Sequence, residues 1–322
     1  MDAIVTAGGI PQPDEPLYAH TAGSAKALVD VAGKAMVQWV LDALGGAERV
    51  DNIIVVGLSP KSELTCQKPL HFVSNQGRLL ANIVAGIEKA LELNPAADYV
   101  LMCTADIPTL KPGMVDWLVD TAMQTRHDLY YGVCPREVME KRFPASKRTF
   151  TRLKDMEVCG ADIHVAHVSL IRPALLEKWE QLIGNRKSPM RQAAIIGLGT
   201  GWLYLTRQLT LQAGVQRVSG GIGIRGRAII WSQAEPAMDV DKPHQLEIVR
   251  RDLARQLRAA RPRPRKAAAA ARPAKRTARN SSSRITSGRR AGSSKRSSKS
   301  KKITRRGQDT RRRSVPARRR DR

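Results

Sequence analysis

Aromatic side chains are scarce in this sequence: three Phe, five Trp and five Tyr among 322 residues, with none beyond Trp231. Acidic side chains are almost missing from the C-terminal stretch, where residues 258–322 hold 26 basic and two acidic residues. Residues 1–257 carry 29 basic against 27 acidic side chains, so nearly all of the formal net charge of +26 belongs to the tail. A segment with such charge and no aromatics cannot bury enough apolar surface to offset chain entropy, and the tail is expected to be disordered. Residues 1–257 are expected to fold as one domain, being long enough for a large core.

Long hydrophobic runs are missing too. The longest apolar stretches, such as 98–105, are strand-length, far below the roughly 20 residues of a membrane-spanning helix. The start, Met1 to Val5, has no basic segment ahead of its apolar residues, so no secretory signal is expected. Cysteine is limited to Cys66, Cys103, Cys134 and Cys159, separated by 37, 31 and 25 residues, with no C-x-x-C pair. That spacing argues against a zinc site or a disulfide framework and for reduced thiols in a cytoplasmic enzyme.

What is present is an alternation of strands and helices. Apolar runs at 3–7, 53–57 and 99–104 have the length and β-branched character of buried strands. Helical periodicity follows each of them, at 36–44, 79–93 and 113–123, and further strands are expected at 129–133, 163–170 and 228–231. Helices are expected at 174–182 and 243–257. The pattern specifies an α/β fold with an open, mixed, mostly parallel sheet and helices on both faces. In such sheets ligands bind outside the carboxyl ends of the strands, so Gly8-Gly9 and Asp106 should face one crevice.

A glycine pair after the first strand lets backbone N–H groups approach phosphate oxygens. Ala7-Gly8-Gly9 is followed by Leu17, Thr21, Lys26 and Leu28, then by Gly33-Lys34 ahead of a helix. This segment resembles the signature loop of the nucleotidyltransferases that make nucleotide sugars, a group whose fold the molybdenum-cofactor guanylyltransferases, the cytidylyltransferases and the related glycosyltransferases share. The resemblance implies that Lys26 meets the nucleotide phosphates and that Ala7, Gly8 and Gly9 line their site. It implies that Gln76, Gly77 and Asn82 read the base, where Asn82 reads equally as a polar helix face. Asp106, in a D-x-P setting, would hold Mg²⁺, a hard cation that needs only one or two protein carboxylates. Asp239 and Asp241 alternate on an extended segment and so could converge on the same ion; Asp241 also fits as the cap of the helix at 243. Lys154 and Asp162 lie where the family meets its acceptor, Lys154 reading equally as a surface lysine. The loop departs from the family in length, and Pro16 stands where an arginine is usual, with Lys34 and Arg78 as possible substitutes.

The implied reaction is Mg²⁺-dependent transfer of a nucleotidyl group from a nucleoside triphosphate to a phosphorylated or hydroxyl acceptor, with release of pyrophosphate. A glycosyltransferase using a nucleotide sugar is the alternative raised by Asp239-Val240-Asp241, and a non-catalytic member the alternative raised by Pro16. The tail is suited to sequence-independent binding of nucleic acid or another polyanion, or simply to solubilising the domain.

Overall fold

The apolar runs form the central strands of one sheet, which is packed between two hydrophobic cores. The computed structural model describes residues 1–185 and 197–260; residues 261–322 of the tail, whose disorder was expected, lie outside the described residues, as does the segment 186–196. Strands β1 (Asp2–Thr6), β4 (Ile53–Val56) and β6 (Tyr99–Thr104) are parallel neighbours, and every residue of β4 is buried. With β5 (Leu70–Val73), β7 (Leu129–Pro135), β9 (Glu157–His167) and β10 (Gly226–Ile230) they run in the order β10-β7-β9-β6-β1-β4-β5. The reversed strand is β9, antiparallel to β6 and β7; the other pairs along this order are parallel. Short β8 (Thr151–Arg152) pairs with the start of β9, and β2 (Asp30–Val31) forms a hairpin with β3 (Lys34–Ala35).

Side chains alternate across the pleat and feed two cores. Ala3 and Val5 of β1 point into one, with α2 (Met36–Gly45), α4 (Pro112–Met123) and α9 (Pro243–Ala260). Ile4 points into the other, where α3 (Leu79–Leu93), α6 (Pro173–Gly184) and α8 (Leu211–Ile222) contribute Ile87, Leu175, Leu182 and Ile222. Gly86 is what lets α3 lie on the sheet, because a Cβ there would come within 2.5 Å of Ile4 Cγ2. The described helices are completed by α1 (Tyr18–Thr21), α5 (Arg136–Arg142) and α7 (Leu198–Leu205). None of the described helices is long and apolar enough to cross a membrane.

The mixed, mostly parallel sheet with helices on both faces is the architecture expected. Two elements, β9 and α9, differ from the expectation by three residues or more at a boundary. The strand expected at 163–170 is β9, which starts at Glu157 and ends at His167, after which Val168–Ile171 form a 3₁₀ turn. Gly160, Asp162 and His164 interrupt the apolar run but keep the two-residue alternation, so the ladder continues through them. Helix α9 runs three residues beyond 257, through Arg258 and two alanines that favour helix.

Helix α9 is fixed by Arg142, which bonds Asp252 through both terminal nitrogens at 2.7 and 3.1 Å and Glu235 Oε1 at 2.9 Å. Both carboxylates are buried. Replacing Arg142 by Met should cost about 3 kcal/mol, because it leaves Glu235 without its ion-pair partner in the interior. Urea denaturation checks this, and a loss below about 1 kcal/mol would show that the pair contributes only as a surface bridge does.

Candidate active site

The carboxyl ends of β1, β4 and β6 lie side by side, so the residues that follow them share one edge of the sheet. Ala7-Gly8-Gly9 leaves β1 there, with the Ala7 amide donating to Val56 O at 2.8 Å. Gly57, the residue after β4, has φ +103°, and a Cβ on it would stand 2.3 Å from Gly8 Cα. The glycine turn therefore depends on a third glycine from the neighbouring strand. The loop then returns, and the Lys26 amide donates to Gly9 O at 2.9 Å, placing Lys26 over the turn.

Asp106 follows β6, and the late segment of the chain is joined to it by backbone: Val240 N donates to Asp106 O at 3.0 Å. Lys26 Nζ sits between the two acids, bonding Asp106 Oδ2 and, at 2.8 Å, Asp241 Oδ1. The Thr104 hydroxyl donates to the other Asp106 oxygen. Burial disfavours the ammonium, yet the Asp106 and Asp241 carboxylates outweigh it and hold Lys26 well above the usual lysine range. The Asp241 and Lys242 amides both donate to Gln245 Oε1 at 2.9 Å, so a side chain of α9 satisfies the helix start.

Asp239 and Asp241, the pair expected at the metal, both line the cavity but take different partners. The Asp239 carboxylate forms a buried ion pair with Arg148, while Asp241 turns to Lys26. The backbone between them is not a regular strand, so the two-residue alternation does not apply. Arg148 also bonds Gly160 O at 3.2 Å and stands 3.8 Å from Asp162. Asp162 Oδ2 is buried without a hydrogen-bond partner. Burial, then the nearby Asp106 charge, pushes the Asp162 carboxyl up to about 7, with Arg148 opposing.

Residues 75–82 form a tight polar knot beside the glycine turn. Asn75 donates to Gly8 O at 2.9 Å and accepts from Gly77 N at 3.0 Å and Asn82 Nδ2 at 3.1 Å, while Asn82 Oδ1 accepts from Gln76 N at 2.7 Å. A cavity of about 910 Å³ opens here, lined by Ala7, Gly8, Gly9, Lys26, Gly77 and Asn82 and, further along, by Asp106, Asp162, Asp239 and Asp241. Gln76 and Lys154 do not line it; Gln76 Nε2 turns to Ser74 O at 2.8 Å, and the exposed Lys154 holds Leu209 O by its backbone. Of the two candidate substitutes for the missing arginine, Lys34 is spent on Asp42 at 2.6 Å and on the Trp39 ring, while Arg78 lines the cavity and pairs with Glu180. Asn75, Thr104 and Arg148 are the residues that sequence reasoning missed. Asn75-x-Gly77 carries an Asx-turn signal, but Arg148 is joined to Asp239 by tertiary folding alone.

An open α/β sheet with one reversed strand, a glycine turn, a lysine and two carboxylates at its carboxyl edge defines a class of nucleotide-handling transferases. The chain belongs to the MobA-like NTP transferase domain family, which it matches over residues 3–196, and it is a nucleotidyltransferase. It is similar to a hypothetical transferase structure from Thermus thermophilus, with 31% identity and a TM-score of 0.64 over 76% of this chain and 98% of that one. It also resembles CMP:2-keto-3-deoxy-manno-octonic acid synthetase in complex with CTP, at 17% identity, a TM-score of 0.47, and coverage of 79% and 98%. A third likeness is 4-diphosphocytidyl-2C-methyl-D-erythritol synthase from Anaerococcus prevotii, at 13% identity, a TM-score of 0.48, and coverage of 78% and 95%. No curated protein matches the sequence.

The Asp162 shift has a signed consequence. The folded chain keeps this proton up to about pH 7, whereas the unfolded chain releases it near about pH 4. The contribution of Asp162 to stability is therefore greatest below about pH 4 and declines as pH rises to about 7. Asp162→Asn should gain stability relative to the wild type between pH 5 and pH 8. Urea titrations at the two pH values test this, and an unchanged difference would mean that Asp162 ionises normally.

Proposed function

We propose that the protein transfers a nucleotidyl group from a nucleoside triphosphate to a phosphorylated or hydroxyl acceptor, releasing pyrophosphate, with Mg²⁺ as cofactor. The observation that carries this reading is the Lys26 ammonium held between the carboxylates of Asp106 and Asp241. Two acidic side chains already share one cation there, and a donor set of carboxylate oxygens suits Mg²⁺. Asp106 and Asp241 are the residues that would hold it; Asp239, committed to Arg148, is not. The ion would neutralise phosphate charge and polarise the phosphorus under attack.

The remaining work falls to the chain itself. The Gly8 and Gly9 turn presents backbone to the phosphates without a Cβ, and Lys26 offsets negative charge as pyrophosphate departs. Gly77, Asn82 and Asp162 line the cavity, and on this reading the first two meet the base and Asp162 the acceptor. No protein nucleophile is needed, since positioning and charge neutralisation suffice for an in-line displacement. The division between this domain and a basic tail from residue 258 belongs to the same proposal, and the 26 cations of the tail suit a polyanion.

Asp106→Asn should abolish turnover while the melting temperature stays near that of the wild type. Lys26→Met should lower kcat by a factor of about 100 to 1,000, the scale on which a single charge-stabilising donor acts. Thermal shift with ATP, CTP, GTP, UTP and dTTP, each with and without Mg²⁺, identifies the base. Full activity in Asp106→Asn, or no stabilisation by any triphosphate, would refute the reading.

A further inference from the structure

The cavity does not end where a nucleotide would. Its floor is one face of the sheet: along β9, Val158, Gly160, Asp162, His164 and Ala166 line it at every second residue. Neighbouring strands add Thr104 and Met102 from β6, and Tyr131 and Leu129 from β7. Its roof is helical, with Leu79, Ile83 and Ile87 from α3, Trp179 and Leu182 from α6, and Val215 and Val218 from α8. These roof positions recur at three- and four-residue spacing, so one side of each helix faces the space.

The floor changes character in successive rows. At the carboxyl edge it is polar, with Thr104, Asp106 and Asp162. In the next row His164 stacks on Tyr131 at 4.5 Å between centroids, and its Nδ1 accepts from Gly132 N at 3.2 Å. Burial lowers the His164 pKa to about 4, which keeps this row uncharged at neutral pH. In the row after that, Ala166 pairs with Leu129 and Leu129 with Gly226, leaving an apolar floor beneath Trp179 and Val218. Met102, Leu129, Ile83, Trp179 and Val218 are all partly buried rather than sealed into the second core. Protein interiors are otherwise close-packed, and a space lined by apolar side chains is suited to apolar molecules.

We infer that this inner limb receives the non-reacting end of the acceptor, which is therefore amphiphilic: a hydroxyl or phosphate oxygen carried on an uncharged aliphatic body. The limb is continuous with the carboxylates, so an acceptor whose oxygen reaches Asp162 and Asp106 extends its body away from the nucleotide. The identity of the occupant as acceptor rests on the nucleotidyl-transfer reading; the existence of the apolar site does not.

Trp179 reports on the limb directly. Titration of the full chain with octyl phosphate and with octan-1-ol, followed by tryptophan emission, should give a saturable change that inorganic phosphate does not give. The change should vanish in Trp179→Phe. Val215→Phe and Val218→Phe, which fill the roof, should weaken binding about tenfold or more while leaving stabilisation by the triphosphate intact. Ala166→Phe fills the floor instead and serves if the roof variants fail to fold. Binding of octyl phosphate alone assigns a phosphate head, and equal binding of both probes a hydroxyl head. No saturable change with either probe, an equal response to inorganic phosphate, or undiminished binding in the filled variants overturns the inference. Triphosphate binding without amphiphile binding overturns this inference alone; amphiphile binding without triphosphate binding overturns the transfer reading and with it the acceptor role, and leaves the apolar site standing.

Discussion

One ammonium shared by two carboxylates holds the candidate site together. Lys26 comes from the first loop, Asp106 from the middle of the chain and Asp241 from its last described loop, and none of these segments is a neighbour of the others in sequence. Paired, the three charges satisfy one another at the sheet edge; with Lys26 missing, the Asp106 carboxylate would remain as partly buried, uncompensated charge, which is costly in a low-dielectric setting, whereas loss of either acid leaves the lysine its other partner. The surrounding backbone bonds follow the same design, Lys26 N to Gly9 O and Val240 N to Asp106 O, each anchoring a loop to the edge that the parallel strands create. Arg148 does the same for the neighbouring acid by pairing with Asp239, so the acidic residues of the site divide into two sets with separate cations.

Much of this was legible in the sequence, for physical reasons that differ by element. Strand β4 was readable because a strand covered on both faces must be continuously apolar, and β6 because its run stays apolar up to Thr104. Helix α3 was readable to its ends because its apolar residues repeat at 3.6. The upstream half of β9 was not, since it carries Gly160 and Asp162 on the cavity face and so breaks any continuous apolar run. The conflict arises where the strand serves the site, which is where local pattern and global fold most often disagree.

Among site residues, Lys26 and Asp106 were approachable from spacing and from the strand that ends at Thr104. The partition of Asp239 from Asp241 was not, because it depends on Arg148, distant in sequence and carrying no motif. Lys34 illustrates the same limit from the other side: it was a candidate to supply the charge of the arginine missing at Pro16, whereas the β2–β3 hairpin turns it toward Asp42 and Trp39. Sequence spacing identifies which chemistry is available, and the long-range pairing of charges decides which groups are free to perform it.

The order in which these pieces leave the ribosome sets when the site exists. Lys26 and Asp106 are synthesised well before Asp241, and the helix that fixes Asp241 is clamped only when Asp252 reaches Arg142. Domains form as units during synthesis, and contacts of long sequence separation close late. A nascent chain would therefore hold most of its sheet while its lysine still lacked a second carboxylate. Competence for chemistry is acquired only once the segment bearing Asp241 has been made, in a closing step set by α9.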